Sequence, residues 1–298
     1  VEIINFGQDG SHAGIHFDTV SKKPSNINGC TMRGGAGWGI NVYHSSRVDI
    51  RYSVIVNPIQ HAIKIDGGDA HYLYRNLVIG TRDTDSINGD IIDLIASIYS
   101  TSETTPIYYN TVAGSEGVGF VVVADNCDTQ ETWELRANSL ETGVIFTAPS
   151  SSRCMKINDV KVFHATNGGI NTYAAASELR AHHLILTDNL HGSLNLNLGG
   201  LGDLASAKIK IDNSYIGGTT FKTLDNSFEC ANISGIRIPV ATLHSNYLPY
   251  RTWQQPYWSI RDEAVFATTF ELEFVEFANF ADENCPGLVA IETNPTAS

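Results

Sequence analysis

Trp38-Gly39-Ile40-Asn41-Val42, Val48-Asp49-Ile50 and Val54-Ile55-Val56-Asn57 are echoed 23 positions on by His61-Ala62-Ile63-Lys64-Ile65, His71-Tyr72-Leu73 and Leu77-Val78-Ile79-Gly80. Within each segment apolar residues alternate with polar ones, the period of a strand with one buried face. Corners containing Gly or Asn separate the segments. Three short strands per repeat, with no amphipathic helix between them, predict strands that coil and stack rung upon rung.

The pattern slips but persists. Asn110-Thr111-Val112 precedes Gly117-Val118-Gly119-Phe120, and Asn138-Ser139-Leu140 precedes Gly143-Val144-Ile145-Phe146. Val160-Lys161-Val162 precedes Gly169-Ile170-Asn171, Leu184-Ile185-Leu186 precedes Ser193-Leu194-Asn195, and Ile209-Lys210-Ile211 precedes Tyr215-Ile216-Gly217. The rung signature is Asn-apolar followed by Gly-apolar. It predicts an all-β parallel β-helix of about 23-residue rungs, roughly nine or ten of them, in a rod about 45 Å long. A β-sandwich, the alternative, calls for hairpin-linked strand pairs without a fixed repeat.

A chain of 298 residues with 42% apolar content fills a core, which excludes disorder as the main state. The net charge of −13 argues against nucleic acid and anionic membrane surfaces. The longest apolar run, Val118 to Ala124, falls far short of the roughly 20 residues that cross a bilayer, so no membrane insertion by this segment is expected. The chain opens without Met inside strand-like Val1-Glu2-Ile3-Ile4-Asn5-Phe6, which reads as an excerpt or a processed product. Eight lysines against 23 asparagines suit an extracellular β-protein.

Cys127 and Cys154 flank one polar excursion and are the first disulfide candidates; Cys230 and Cys285 are a second pair, and Cys30, among apolar residues, reads as a buried thiol. Asn232-Ile233-Ser234 is a glycosylation sequon. Arg82 to Pro106 breaks the repeat and reads as a surface insertion loop. The β-helix is therefore assigned to residues 1–238 and an aromatic-rich capping segment to 239–298, with Phe266 to Phe274 as strands against the rod end. Tyr247, Tyr250, Trp253, Tyr257 and Trp258 form that cap's aromatic group, a candidate interaction surface for sugars or a neighbouring subunit.

Signals for catalysis and metals are weak. Asp83-Thr84-Asp85-Ser86-Ile87-Asn88-Gly89-Asp90 resembles a calcium loop in Asp83, Asp85 and Asp90, but Ile87 stands where an oxygen ligand belongs. No cofactor is expected, with calcium at this loop the alternative. A polysaccharide lyase or hydrolase needs carboxylates on one outward face; Asp66, Asp69 and Asp93 add to the acidic stretch, and Lys64 and Arg82 are the nearby bases. His16, His44, His61 and His71 fall on neighbouring rungs. In His182-His183, strand alternation sends one ring inward and one outward. His164 and Asp188 allow a Ser-His-Asp triad on paper, with no spacing in its favour.

Several landmarks together resemble one family. Val1 to Gly10 followed by Gly14-Ile15-His16-Phe17, Ala113-Gly114-Ser115-Glu116-Gly117-Val118-Gly119-Phe120 running to Cys127, Trp133 with Ala137-Asn138-Ser139-Leu140, Ser227-Phe228-Glu229-Cys230, Trp253-Gln254-Gln255-Pro256-Tyr257-Trp258 and Asn294-Pro295-Thr296-Ala297 are similar, in order and spacing, to the region after the G8 domain of fibrocystin-like proteins. The region also occurs in related cell-surface proteins linked to hyaluronan breakdown. The resemblance implies a right-handed parallel β-helix from a large secreted or membrane-tethered extracellular protein. Where the family often has a second His after the aromatic residue, this chain has Asp18, against a His–His metal site.

These readings point to a non-enzymatic structural or adhesion module at the cell surface. Val1, Glu2, Ile3 and Ile4 form an expected assembly edge, met by the preceding part of a longer chain or by another copy in a head-to-tail fibre. The alternatives are a polysaccharide-degrading enzyme, which the negative charge disfavours for an acidic substrate, and a glycan-binding module. An exposed aromatic row would favour the binder, and carboxylates beside a Lys or Arg the enzyme.

Overall fold

A computed structural model describes residues 1–7, 12–20, 23–82, 95–128, 134–149, 154–174, 178–190, 192–198, 207–218, 234–238, 267–280 and 289–293. Among them the regular structure is all β, and the chain clusters into two compact units. The first comprises Val1–Val123 and Thr132–Val144, the second Ala124–Glu131 and Ile145–Ser298.

In the first unit the strands are β1 (Glu2–Ile4), β2 (Ile15–Asp18), β3 (Ser25–Asn28), β4 (Thr31–Arg33), β5 (Ile40–Tyr43), β6 (Val48–Arg51), β7 (Val54–Val56), β8 (Ile63–Asp66), β9 (Tyr72–Tyr74), β10 (Leu77–Ile79), β11 (Ala96–Ser100), β12 (Ile107–Tyr108) and β13 (Thr111–Val123). Every third strand pairs, always in parallel. One ladder runs β1–β4–β7–β10 into the start of β13, a second β2–β5–β8–β11 into its later part, and a third β3–β6–β9–β12. This is a β-helix-like coil, and its register is that of the echo: Ile40 pairs with Ile63, Ile50 with Leu73 and Ile55 with Val78.

The alternating apolar residues make the core. Ile40, Ile63, Ile98 and Phe120 stack on one side, Met32, Ile55, Val78 and Val112 on the next, and Ile50, Leu73 and Ile107 on the third, all buried. Each such side chain contributes about 1.5–3 kcal/mol through burial. At the corner entering the first ladder, polar residues form an internal column. The Cys30 N–H donates to Ser53 Oγ (3.4 Å), the Ser53 N–H to Asn76 Oδ1 (3.0 Å) and the Asn76 N–H to Asn110 Oδ1 (3.0 Å). That column is the physical content of the Asn-apolar half of the signature.

The Gly-apolar half has a steric cause. A Cβ on Gly39 would stand 2.4 Å from the carbonyl oxygen of Ala62 on the next rung, and one on Gly169 would stand 2.4 Å from that of Ser193. Replacing Gly39 with alanine is expected to destabilise the chain by about 2 kcal/mol, read from denaturant midpoints, because the backbone must part where it is hydrogen-bonded.

Two boundaries differ from the sequence reading. The stretch 95–106, expected within the insertion loop, rejoins the ladders: Ile98 pairs with Ile63 and Ile107 with Leu73, and Ala96, Ser97, Ile98 and Ser100 are buried. The Thr, Ser and Asp content of 82–106 suggested a loop throughout, but the Thr and Ser residues of 101–105 lie in the corner between β11 and β12.

The last change from the first unit to the second falls within β14 (Leu135–Thr147). The strands that follow are β15 (Cys154–Asn158), β16 (Val160–Ala174), β17 (Glu178–His182), β18 (Ile185–Thr187), β19 (Leu194–Leu198), β20 (Ala207–Gly217), β21 (Ser234–Ile238), β22 (Ala267–Ala278) and β23 (Val289–Thr293). Parallel ladders again connect them, β15–β17–β20–β22, β16–β18–β20 and β16–β19–β21–β23. The second boundary difference lies here. β22 and β23, expected in the capping segment 239–298, continue these ladders, with Phe270 paired to Ile209, Leu272 to Ile211 and Ile291 to Ile236. Ile209 also pairs with Leu179 rather than holding the position of Leu184, because the mixed sequence Glu178-Leu179-Arg180-Ala181-His182 is itself a rung strand.

Candidate functional site

The third ladder of the first unit presents an outward face built by alternation. Leu73 points into the core, so Tyr72 and Tyr74 on either side of it point out. Register places Asn26, Asp49 and Tyr72 in one outward row, and Asn28, Arg51, Tyr74 and Tyr108 in the next. The corner beside them adds Tyr52, Arg75 and Tyr109, all with left-handed backbones (φ 51°, 52° and 57°) and joined rung to rung by the Tyr52 N–H to Tyr74 carbonyl and Arg75 N–H to Tyr108 carbonyl bonds.

Five tyrosines and two arginines thus share one surface. Ring centroids lie 5.4 Å apart for Tyr52–Tyr74, 5.8 Å for Tyr72–Tyr74, 5.7 Å for Tyr72–Tyr108 and 5.6 Å for Tyr74–Tyr109. The Arg51 guanidinium sits 4.6 Å over Tyr72 and binds Asp49 at 2.6 Å, while Arg75 sits 5.1 Å from Tyr74 and 5.5 Å from Tyr109. Arg51 Nε is buried without a hydrogen-bond partner in the structure. Burial raises the Tyr72 pKa above its ordinary value, against the pull of Arg51, so the phenol stays neutral. The rings hold one another in place, and a rigid surface loses little entropy on binding.

The second ladder presents a different outer face. His16, Asn41, Lys64 and Tyr99 form one row, flanked by Asp18, Tyr43 and Asp66. The Lys64 ammonium lies 4.5 Å over Trp38 and 5.7 Å from Tyr99. The Trp38 indole N–H donates to Gln60 Oε1. Carboxylates and a lysine do share this outward face, although the ammonium rests on ring faces.

The histidines disperse. His61 is buried against Trp38 and Tyr99, with Nδ1 2.9 Å from the Ala96 carbonyl; burial lowers its pKa to about 4. His71 is buried beneath the Val48 N–H and its pKa is lowered, chiefly by desolvation. His16 and His44 are exposed. Among the described residues no group of three or more His, Cys, Asp or Glu is placed to hold a metal ion.

The His182-His183 expectation is corrected. His183 lies beyond the end of β17 with φ 53°, and this left-handed step breaks the alternation. The rings lie 3.9 Å apart, outside the core, His182 Nδ1 against Asp212 and His183 Nδ1 3.3 Å from Asp159. Burial comes first, and the neighbouring His183 second, in lowering the His182 pKa.

Cys127 and Cys154 form a disulfide, Cα atoms 5.5 Å apart, and Cys30 is a buried free thiol. In β1 the Glu2 carboxylate meets Arg33 at 2.8 Å, and Val1 and Ile4 are exposed. Asp83, Asp85, Asp90, Cys230, Cys285, Asn232, Tyr247, Tyr250, Trp253, Tyr257 and Trp258 lie outside the described residues. The tyrosine face was missed in the sequence. Its signal was there: once the echo is aligned, Tyr52 falls on Arg75, and Arg51 on Tyr74.

The chain is similar to fibrocystin of Mus musculus. The two are 24% identical over 308 aligned residues, which cover 94% of this chain. The same alignment covers 7% of fibrocystin, so the chain spans a small part of that relative's length. No protein-family model and no solved structure matches the chain. The similarity supports a distant fibrocystin-like relationship.

Proposed function

We propose that this chain is a non-enzymatic extracellular adhesion module of a fibrocystin-like surface protein, and that the tyrosine–arginine face of the third ladder is its protein-binding surface. The outward grid of Tyr52, Tyr72, Tyr74, Tyr108 and Tyr109 with Arg51 and Arg75 carries the reading. Tyr and Arg are the residues that dominate the energetic centres of protein interfaces. The Cys127–Cys154 disulfide supports an oxidising compartment. The coil is read as right-handed, the hand that parallel β connections nearly always take. The partner is another extracellular domain, a second copy of this chain included.

The second-ladder carboxylates do not displace this reading, because Asp18 and Asp66 outnumber Lys64 on that face and disfavour an acidic polysaccharide as substrate. Beads coated with the 298-residue chain are expected to adhere to one another or to cultured cells. The double variant Tyr74→Ala, Arg75→Ala is expected to bind about 30-fold more weakly, the effect of losing an energetic centre. Equal adhesion by that variant would sink the proposal, as would release of reducing ends from hyaluronan by the wild-type chain.

A further inference from the structure

We infer a second binding site, on the outer face of the second ladder, that takes a neutral pyranose at Asn41 and Lys64. It is independent of the tyrosine face. Asn41 sits between Ile40 and Val42, both fully buried, so it belongs to the outer face, yet it is only 6% exposed. Its amide Nδ2 meets His16 Nδ1 at 3.1 Å, and its Oδ1 is buried with no partner in the structure. Turning the amide over would satisfy the oxygen and orphan the nitrogen. One polar atom of Asn41 therefore lacks a mate either way, at a cost of about 1–3 kcal/mol.

Lys64 is the paired neighbour of Asn41 on the next rung. Its ammonium has ring faces for company and no ion pair among the described residues. Such cation–π contacts are worth only about 0.5–1 kcal/mol where solvent reaches them, so the side chain lifts off Trp38 at little cost. Lifting exposes the indole face and opens the way to the Asn41 amide.

The occupant follows from three requirements. It must pair with an amide atom of either kind, which a hydroxyl does, since it both donates and accepts. It must offer an acceptor to Lys64 about one rung, roughly 5 Å, away, which a neighbouring hydroxyl supplies. It must cover an indole face with C–H groups, as the apolar side of a pyranose does. Asp18 and Asp66 flank the site and outnumber Lys64, so an acidic sugar is disfavoured.

The test is an NMR titration of the 15N-labelled full chain with D-glucose, D-galactose, D-mannose and N-acetyl-D-glucosamine, each to about 100 mM, the range in which single-sugar affinities are read. A saturable shift of the Asn41 side-chain amide is expected with at least one of them. In Lys64→Met the affinity is expected to fall at least about tenfold, and in Tyr74→Ala it is expected to stay unchanged. In Asn41→Leu, read from the Trp38 indole N–H, sugar binding should be lost; if that variant does not fold, Lys64→Met alone decides. No shift with any of the four sugars, equal affinity in Lys64→Met, or tighter binding of D-glucuronate would each overturn the inference. The adhesion reading is judged by its own variant on the other face.

Discussion

Replacing Asn76 by alanine is expected to lower the unfolding free energy by about 4 kcal/mol, since buried groups left without partners cost about 1–3 kcal/mol each. Asn76 is 1% exposed. Its Oδ1 accepts the Ser53 N–H at 3.0 Å, and its Nδ2 donates to the Ile50 carbonyl at 2.9 Å and to Asn110 Oδ1 at 3.0 Å. Truncation strands two backbone groups of the preceding turn inside the coil and leaves a void where the amide stood. Serine should recover part of the loss, because Ser53 fills the equivalent place one rung earlier, accepting the Cys30 N–H and donating to the Arg51 carbonyl. Chemical denaturation of Asn76→Ala, Asn76→Ser and the exposed control Asn28→Ala measures the series. A loss for Asn76→Ala no larger than that for Asn28→Ala would mean that the column is not what fixes the corner.

Between pH 7 and pH 4.5 the neutral, buried His61 is expected to cost the fold about 2–3 kcal/mol of stability. Its folded pKa is lowered to about 4 from the model-peptide value of 6.5, by burial first, with the Lys64 charge acting in the same direction and the Ala96 hydrogen bond opposing. As pH falls below 6.5 the unfolded chain takes up a proton that the native chain refuses until about pH 4. Stability therefore declines through that window and levels off below it. His71, also lowered, adds in the same sense. The measurement compares wild type with His61→Gln, which does not titrate, at both pH values. The difference between their pH-dependent losses isolates His61, since the carboxylates contribute equally to both. Matching losses in the two proteins would show that the ring is protonated inside the fold.

The sequence by itself determined the ladder. Inward Ile40 and Ile63 and outward Asn41 and Lys64 follow from period-2 alternation, and the 23-residue echo fixed which strand lies on which. Gly39 and Asn76 were legible as punctuation because each answers a local demand, a close carbonyl or a stranded N–H, that is met again on other turns by Gly169 and Asn110. Cys127 and Cys154 were legible as a pair because they bracket one polar excursion.

What the sequence did not yield needed long-range register. Ile98 returns beneath Ile63 about a dozen residues later than the echo calls for, and composition alone could not say whether 95–106 stayed outside or rejoined the coil; the apolar faces of β8 and β13 decided it by burying Ala96 and Ile98. A single left-handed step at His183 overrode alternation and put both histidines outside. The tyrosine face exists only after folding, since Tyr52, Tyr72, Tyr74, Tyr108 and Tyr109 come from three successive turns. Alternation is a property of neighbours along the chain, whereas a binding surface is a property of neighbours across it. Only the stacking of turns, set by the burial of the aliphatic core, converts the first into the second.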